Sequence, residues 1–195
     1  NLHVMKILSN ATNTISEGEI LQLLNIHNSK INEQDYLQVI EFKTAKLFEA
    51  CGSLAATLNN NKTRKINECA KIGNRFGVIF QLTDDILDYS GNELNIGKNL
   101  GADLSEGKIT LPLIYAIKKG TKSQKIIIKT AIEKGGIENL SDVIQIIDET
   151  NAINDVQSKS LSYLNEINSL IDNFHDSSYK TLIKELAEYS IQREN

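Results

Sequence analysis

Proline is nearly absent from this 195-residue chain, Pro112 being the single example, and strict alternation of apolar and polar residues is missing. The first absence leaves helices uninterrupted and the second argues against half-buried strands, so the expected class is all-α. No apolar run reaches the 18 or so residues that a spanning helix needs, so no transmembrane segment is expected. The opening Asn1-Leu2-His3-Val4-Met5-Lys6 lacks a charged stretch followed by an apolar core, so it is not a signal peptide. A start at Asn1 instead of Met leads us to expect residues before it. There is no basic block or aromatic-interleaved Lys/Arg patch and the net charge is only -4, so no nucleic-acid partner is expected. Cysteine is scarce: Cys51 and Cys69 form no C-x-x-C pair and fall on apolar helical positions. Both are read as buried, reduced residues of a cytoplasmic protein. With 41% hydrophobic residues, the length supports one core and a single domain over residues 1–195.

Apolar residues recur at three- and four-residue spacing. A first helix is predicted over 4–25, with Ile7, Leu8, Ala11, Ile15, Leu21 and Leu24 inward. Within it, Glu17-Gly18-Glu19 is a polar cluster whose glycine is either a solvated position or a point of close packing. Asn32 is a candidate N-cap for a second helix over 33–58, with the stripe Tyr36, Ile40, Leu47, Cys51, Leu54 and Leu58. Lys43 falls inside that stripe. It either snorkels to solvent or points inward to meet an anion, with the Thr44 hydroxyl as a second donor. Asn59-Asn60-Asn61-Lys62 breaks the pattern before a third helix, and further helices are expected over 122–134, 137–150, 153–174 and 179–192. One more restarts at Ile109, with Thr110 as a candidate cap and Pro112 in its first turn.

The third helix carries Phe80-Gln81-Leu82-Thr83-Asp84-Asp85-Ile86-Leu87-Asp88-Tyr89, on a stripe of Cys69, Ile72, Phe76, Phe80, Thr83 and Leu87. Asp84 and Asp88 lie one turn apart, with Gln81 and Asp85 a turn apart beside them. Like charges at this spacing repel by ~0.2–0.5 kcal/mol per pair, and no basic residue occupies positions 77–97. Carboxylates without His or Cys suit a hard ion such as Mg²⁺, which shares its coordination with substrate phosphates. The glycine-rich stretch from Ser90 to Lys108 contributes Lys98 and Lys108 and is long for a compact helical domain, as functional loops often are. An EF-hand fails on spacing, because Gly91 at the sixth loop position places Ile86 at the first. A di-iron bundle fails for want of paired Glu-x-x-His motifs, and His3, His27 and His175 are too scattered for zinc. No P-loop, GxGxxG or nucleophile elbow occurs.

These residues resemble the trans-polyprenyl diphosphate synthase family. The run from Phe80 to Tyr89 is similar to its second aspartate-rich motif, Gly97-Lys98 through Pro112 to the following loop, and Lys43-Thr44 to its Lys-Thr pair. The flanks Glu17-Gly18-Glu19-Ile20-Leu21-Gln22-Leu23 and Tyr36 through Ala50 look most like the bacterial octaprenyl branch. The resemblance implies an isoprenoid-synthase helical bundle around a central cavity. It implies transfer of an allylic diphosphate's prenyl group to isopentenyl diphosphate, giving long chains for quinone side chains. It also implies Mg²⁺ on Asp84, Asp85 and Asp88, diphosphate contacts from Lys43, Thr44, Gln81, Lys98 and Lys108, and catalytic roles for Lys43, Gln81 and Asp84. A homodimer is implied too, or pairing with an upstream half. The family's first aspartate-rich motif and its isopentenyl diphosphate segment have no counterpart here. A fragment of a full synthase, half of a split enzyme and an inactive helical subunit that binds Mg²⁺-diphosphate therefore stay open. A terpene-cyclase relative shares the acidic logic but lacks the loop bearing Lys98 and Lys108.

Overall fold

The computed structural model describes residues 1–59, 61–90, 100–135 and 137–193. Among them every regular element is helical: α1 (Leu2–Asn25), α2 (Glu33–Ile40), a π-helical turn (Glu41–Ala45), α3 (Lys46–Leu58), α4 (Thr63–Ser90), α5 (Ala102–Ser105), α6 (Leu111–Lys119), α7 (Lys122–Lys134), a 3₁₀ turn (Ile137–Asn139), α8 (Leu140–Glu149), α9 (Ala152–Ile171) and α10 (Ser178–Gln192). The all-α expectation holds. No described helix is long and apolar enough to cross a membrane. The expected loop between Ser90 and Lys108 lies partly outside the described residues, and its described end contains α5.

The chain groups into two compact units. Of the described residues, one comprises Asn1–Ile20, Gln38–Gln81 and Ser160–Arg193, the other Leu21–Leu37 and Leu82–Lys159.

In the first unit, the packed side of α1 is marked by small residues. Ala11 and Gly18, seven apart and so on one face, are its buried positions. Leu8, expected inward, is 43% exposed. Gly18 sits so close to the π turn that a β-carbon there would lie 2.5 Å from the Lys43 backbone nitrogen. Its role is close packing, which decides between the two readings of the Glu17-Gly18-Glu19 cluster.

The buried face of α3 differs from the expected stripe. Ala50, Ser53 and Thr57 are buried in place of Cys51, Leu54 and Leu58, each one position earlier. Leu47 and Leu58 are 56% and 65% exposed. The expected stripe followed the large apolar residues, whereas the small residues of α3 are the ones that pack inward. Cys51 is exposed for the same reason, contrary to the buried position expected of it, and Cys69 is half-buried; both are free thiols. Farther along, α4 meets this segment at Gly73 and Gly77, where β-carbons would come within 2.2 Å of the Phe48 carbonyl oxygen and 2.5 Å of the Ala45 Cα. Phe80, expected in the buried stripe, is 38% exposed. Its ring lies 5.7 Å from that of Phe48 and 4.1 Å from the Arg193 guanidinium. Ile79, Ile167, Ile171 and Ala187 close a core here.

In the second unit, Asn32 caps α2 as expected. Its Oδ1 accepts from the Gln34 and Asp35 amides at 2.8 and 3.1 Å, and Asp35 answers by accepting the Asn32 N–H. A core of Tyr89, Leu104, Leu113, Ile128, Ile132, Val143 and Ile147 joins the end of α4 to α5 through α8. Thr110 stands at the N-cap of α6 but makes no side-chain cap. Its hydroxyl donates instead to the buried Tyr89 phenol oxygen at 3.2 Å. Pro112 sits in the first turn, as expected.

Substituting Gly18→Ala should lower stability by about 1–3 kcal/mol, because the backbone of the π turn must give way to the added methyl. An unchanged urea midpoint would contradict the close approach.

Candidate functional site

The two sets of residues singled out in the sequence fall in different units. In the first, the π turn carries Lys43 and Thr44, and Gly73 and Gly77 let α4 approach it. One turn beyond Gly77, Gln81 offers its side-chain oxygen to the Thr44 hydroxyl, which donates at 3.0 Å. Lys43 is about one-third exposed, and its ammonium lies 3.2 Å from the Glu19 carboxylate. The partner is a carboxylate of this chain that is itself 51% exposed, a pairing that neither reading of Lys43 described. π turns recur at functional sites because they re-aim side chains without breaking the helix.

In the second unit, the three aspartates of α4 separate by environment. Asp85 is 2% exposed and accepts a hydrogen bond from the Tyr36 hydroxyl at 2.5 Å. Asp84 and Asp88 lie one turn apart and are partly buried. Asp88 accepts the backbone N–H groups of Ala102 at 3.0 Å and Asp103 at 3.2 Å, and its own carbonyl accepts from Gly101 at 2.8 Å. Burial, aided by the Asp103 charge, pushes its carboxyl up to about 6 against the pull of those two amides; Asp84 adds to the rise. Lys108 bridges Asp103 at 3.0 Å and Glu106 at 2.8 Å. Burial works to release the Lys108 proton, but Glu106 and Asp103 outweigh it and hold the ammonium well above its ordinary value. Lys98 falls outside the described residues.

Among the described residues, no group of three or more His, Cys, Asp or Glu side chains is arranged to hold a metal ion. The donor chemistry still fits a hard cation. Mg²⁺ ordinarily takes one or two protein carboxylates and completes its shell with water and substrate phosphate. Asp84 and Asp88 are two carboxylates of that kind, and the Asp88 carboxyl, raised first by burial and then by the Asp103 and Asp84 charges, is one whose ionised form a cation would favour. Three contributors went unrecognised in the sequence: Tyr36, Glu19 and Asp103. Tyr36 was the most accessible of these to sequence reasoning, since a phenol on a buried stripe needs a polar partner for its hydroxyl. Nothing in the sequence aims Glu19 at Lys43.

Residues 1–150 match the polyprenyl synthetase family profile. The octaprenyl diphosphate synthase of Haemophilus influenzae is 36% identical over 194 residues, covering 99% of this chain and 59% of that protein. Its Escherichia coli counterpart is 34% identical over 195 residues, covering 100% and 60%. Among solved structures, a decaprenyl diphosphate synthase from Rhodobacter capsulatus superposes with a TM-score of 0.91 at 30% identity, over 100% of this chain and 61% of that one. A polyprenyl synthase from Caulobacter crescentus, complexed with calcium and isoprenyl diphosphate, superposes with a TM-score of 0.93 at 29% identity, over 100% and 60%. The chain thus spans about 60% of the length of the relatives it matches.

Asp88 deprotonates near pH 6, and only the carboxylate binds a cation, so lowering the pH from 7.5 to 5.5 should weaken Mg²⁺ binding. In an NMR titration the Asp88 carboxyl carbon should show its midpoint near pH 6, moving lower when Mg²⁺ is added. A midpoint at the ordinary carboxylate value, indifferent to Mg²⁺, would remove the charge-crowding argument.

Proposed function

The chain belongs to the polyprenyl synthetase family, and from that premise we propose that it contributes the second aspartate-rich half of a prenyltransferase joining an allylic diphosphate to isopentenyl diphosphate. The observation that carries this reading is the Asp84 and Asp88 pair, with Asp88 pushed up to about 6 by burial and neighbouring acids. Such a pair suits Mg²⁺ shared with a diphosphate. When bound, the metal supplies charge neutralisation for the departing diphosphate. Asp84 and Asp88 would hold it, and Asp85, engaged by Tyr36, would keep this stretch of α4 in place. Among the other residues, Lys43 and Lys108 would exchange their present carboxylate partners for diphosphate oxygens. The Thr44 hydroxyl and the Gln81 amide, already joined, would add neutral donors, and Lys98 is proposed for the same task. Charge stabilisation of this kind acts on the leaving group as the allylic carbon becomes cationic.

The relatives' names include octaprenyl, so a long-chain product serving quinone side chains is the substrate-level proposal. Both units are proposed to belong to one synthase domain, because the family match over 1–150 runs through both. A second reading is a helical subunit that binds Mg²⁺-diphosphate but turns nothing over by itself.

Radiolabelled isopentenyl diphosphate with farnesyl diphosphate separates the two. Product from this chain alone supports the enzyme. Product that appears only with a co-expressed upstream half supports it as half of a split enzyme, and no product in either arrangement supports the subunit reading. Asp84→Ala should weaken Mg²⁺-dependent diphosphate binding about tenfold or more, as loss of one of two charged ligands implies; calorimetry showing unchanged affinity would count against the metal assignment. Lys43→Ala should also weaken binding. If it alters only the urea midpoint, Lys43 serves the fold through Glu19.

A further inference from the structure

His27 was one of three scattered histidines with no role in the sequence, yet this exposed side chain touches three segments of the second unit. In the turn after α1 it adopts φ of 59°, a left-handed conformation that a side chain other than glycine keeps only when its surroundings hold it. Two hydrogen bonds do so. Its backbone N–H donates to the Gly107 carbonyl at 2.9 Å, and its ring Nδ1 lies 2.9 Å from the Ile132 carbonyl oxygen. A carbonyl only accepts, so Nδ1 carries the proton. Ile132 belongs to the last turn of α7, where carbonyls run out of donors within the helix.

The imidazole also fills the space beside two glycines. A β-carbon on Gly107 would lie 2.3 Å from the ring, and one on Gly135 would lie 2.5 Å from it. Both glycines are themselves left-handed, at φ of 72° and 58°. Three chain reversals therefore meet at one side chain.

What Gly107 anchors gives the arrangement its meaning. Its N–H donates to the Leu104 carbonyl, and the next residue, Lys108, donates its own N–H to the Asp103 carbonyl, both at 2.9 Å. At the other end of this short turn, the Ala102 and Asp103 amides hold Asp88. We infer that His27 is a positioning residue, clamping Gly107 so that Lys108 and the two amides keep their places around Asp88. The inference rests on the proposed role of Asp84 and Asp88 toward Mg²⁺ and diphosphate.

Two variants of the full chain test it. His27→Gly keeps the left-handed backbone and removes the ring. His27→Asn keeps left-handed tolerance and offers a side-chain N–H in its place. In the metal-free chain, hydrogen exchange of the Ala102 and Asp103 amides should speed up about tenfold or more in His27→Gly. The Ile79 amide in the first unit should be unaffected, and His27→Asn should recover most of the protection. Binding of Mg²⁺ with inorganic pyrophosphate, by calorimetry, should fall about tenfold in His27→Gly and return to within about threefold of the parent in His27→Asn. Unchanged protection at the two amides overturns the inference, as does an equal loss at Ile79, which would signal plain destabilisation. Equal pyrophosphate affinity in parent and His27→Gly overturns the link to binding. If the amides respond but the parent binds no Mg²⁺-pyrophosphate, the functional reading fails and the clamp stands.

Discussion

Carboxylates crowded onto one stretch of helix repel one another, and the second unit is arranged around the answer to that repulsion. Asp85 is taken out of solvent and engaged by the Tyr36 phenol. Asp88 is met by the backbone amides of Ala102 and Asp103. Asp103, a further acid brought close by that contact, is met in turn by Lys108. Each step constrains the next, so the conformation of the segment from Gly101 to Lys108 follows from the charge it must approach. The Asp88 carboxyl is still raised, first by its burial and then by the Asp103 and Asp84 charges. A group whose folded pKa lies above its unfolded value is most favourable to folding when protonated. This carboxylate's cost therefore grows as pH rises through the window from about 4 to about 6 and is fully present at neutral pH. A bound cation would lift that cost, which makes the strain in the unit and its proposed chemistry two aspects of one electrostatic fact.

The first unit depends on close backbone approach. Gly18, Gly73 and Gly77 leave no room for a β-carbon against Lys43, Phe48 and Ala45. The packing they permit brings the Thr44 hydroxyl to Gln81 and the Lys43 ammonium to Glu19. The π turn holds both Lys43 and Thr44. An irregularity that carries the conspicuous polar pair of a helix, and is tolerated inside an otherwise regular element, is what a re-aimed binding residue looks like.

Much of this was legible in the residues. Helix positions came from periodicity, the Asn32 cap from its spacing to Asp35, and the placement of Pro112 and Thr110 from the tolerance of a first helical turn for a missing N–H. The acidic run announced itself by charge alone. Other features were hidden for physical reasons. The buried face of α3 was misread because the expected stripe followed the large apolar residues, whereas the small Ala50, Ser53 and Thr57 are buried. Thr110 took the cap position, but its hydroxyl was diverted to Tyr89, a partner 21 residues away that no local pattern shows.

From its sequence alone, the chain determined its class, its helices, and the identity of the acids and cations available for chemistry, because these follow from local spacing and residue type. Only the tertiary structure decided how the aspartates divide, with Asp85 turned to Tyr36 and Asp88 to the amides of α5, and which partners Lys43 and Lys108 take. It alone made His27 the meeting point of three reversals. Such outcomes depend on contacts between residues far apart in the chain, where burial and approach distance set the energy, and no local pattern encodes them.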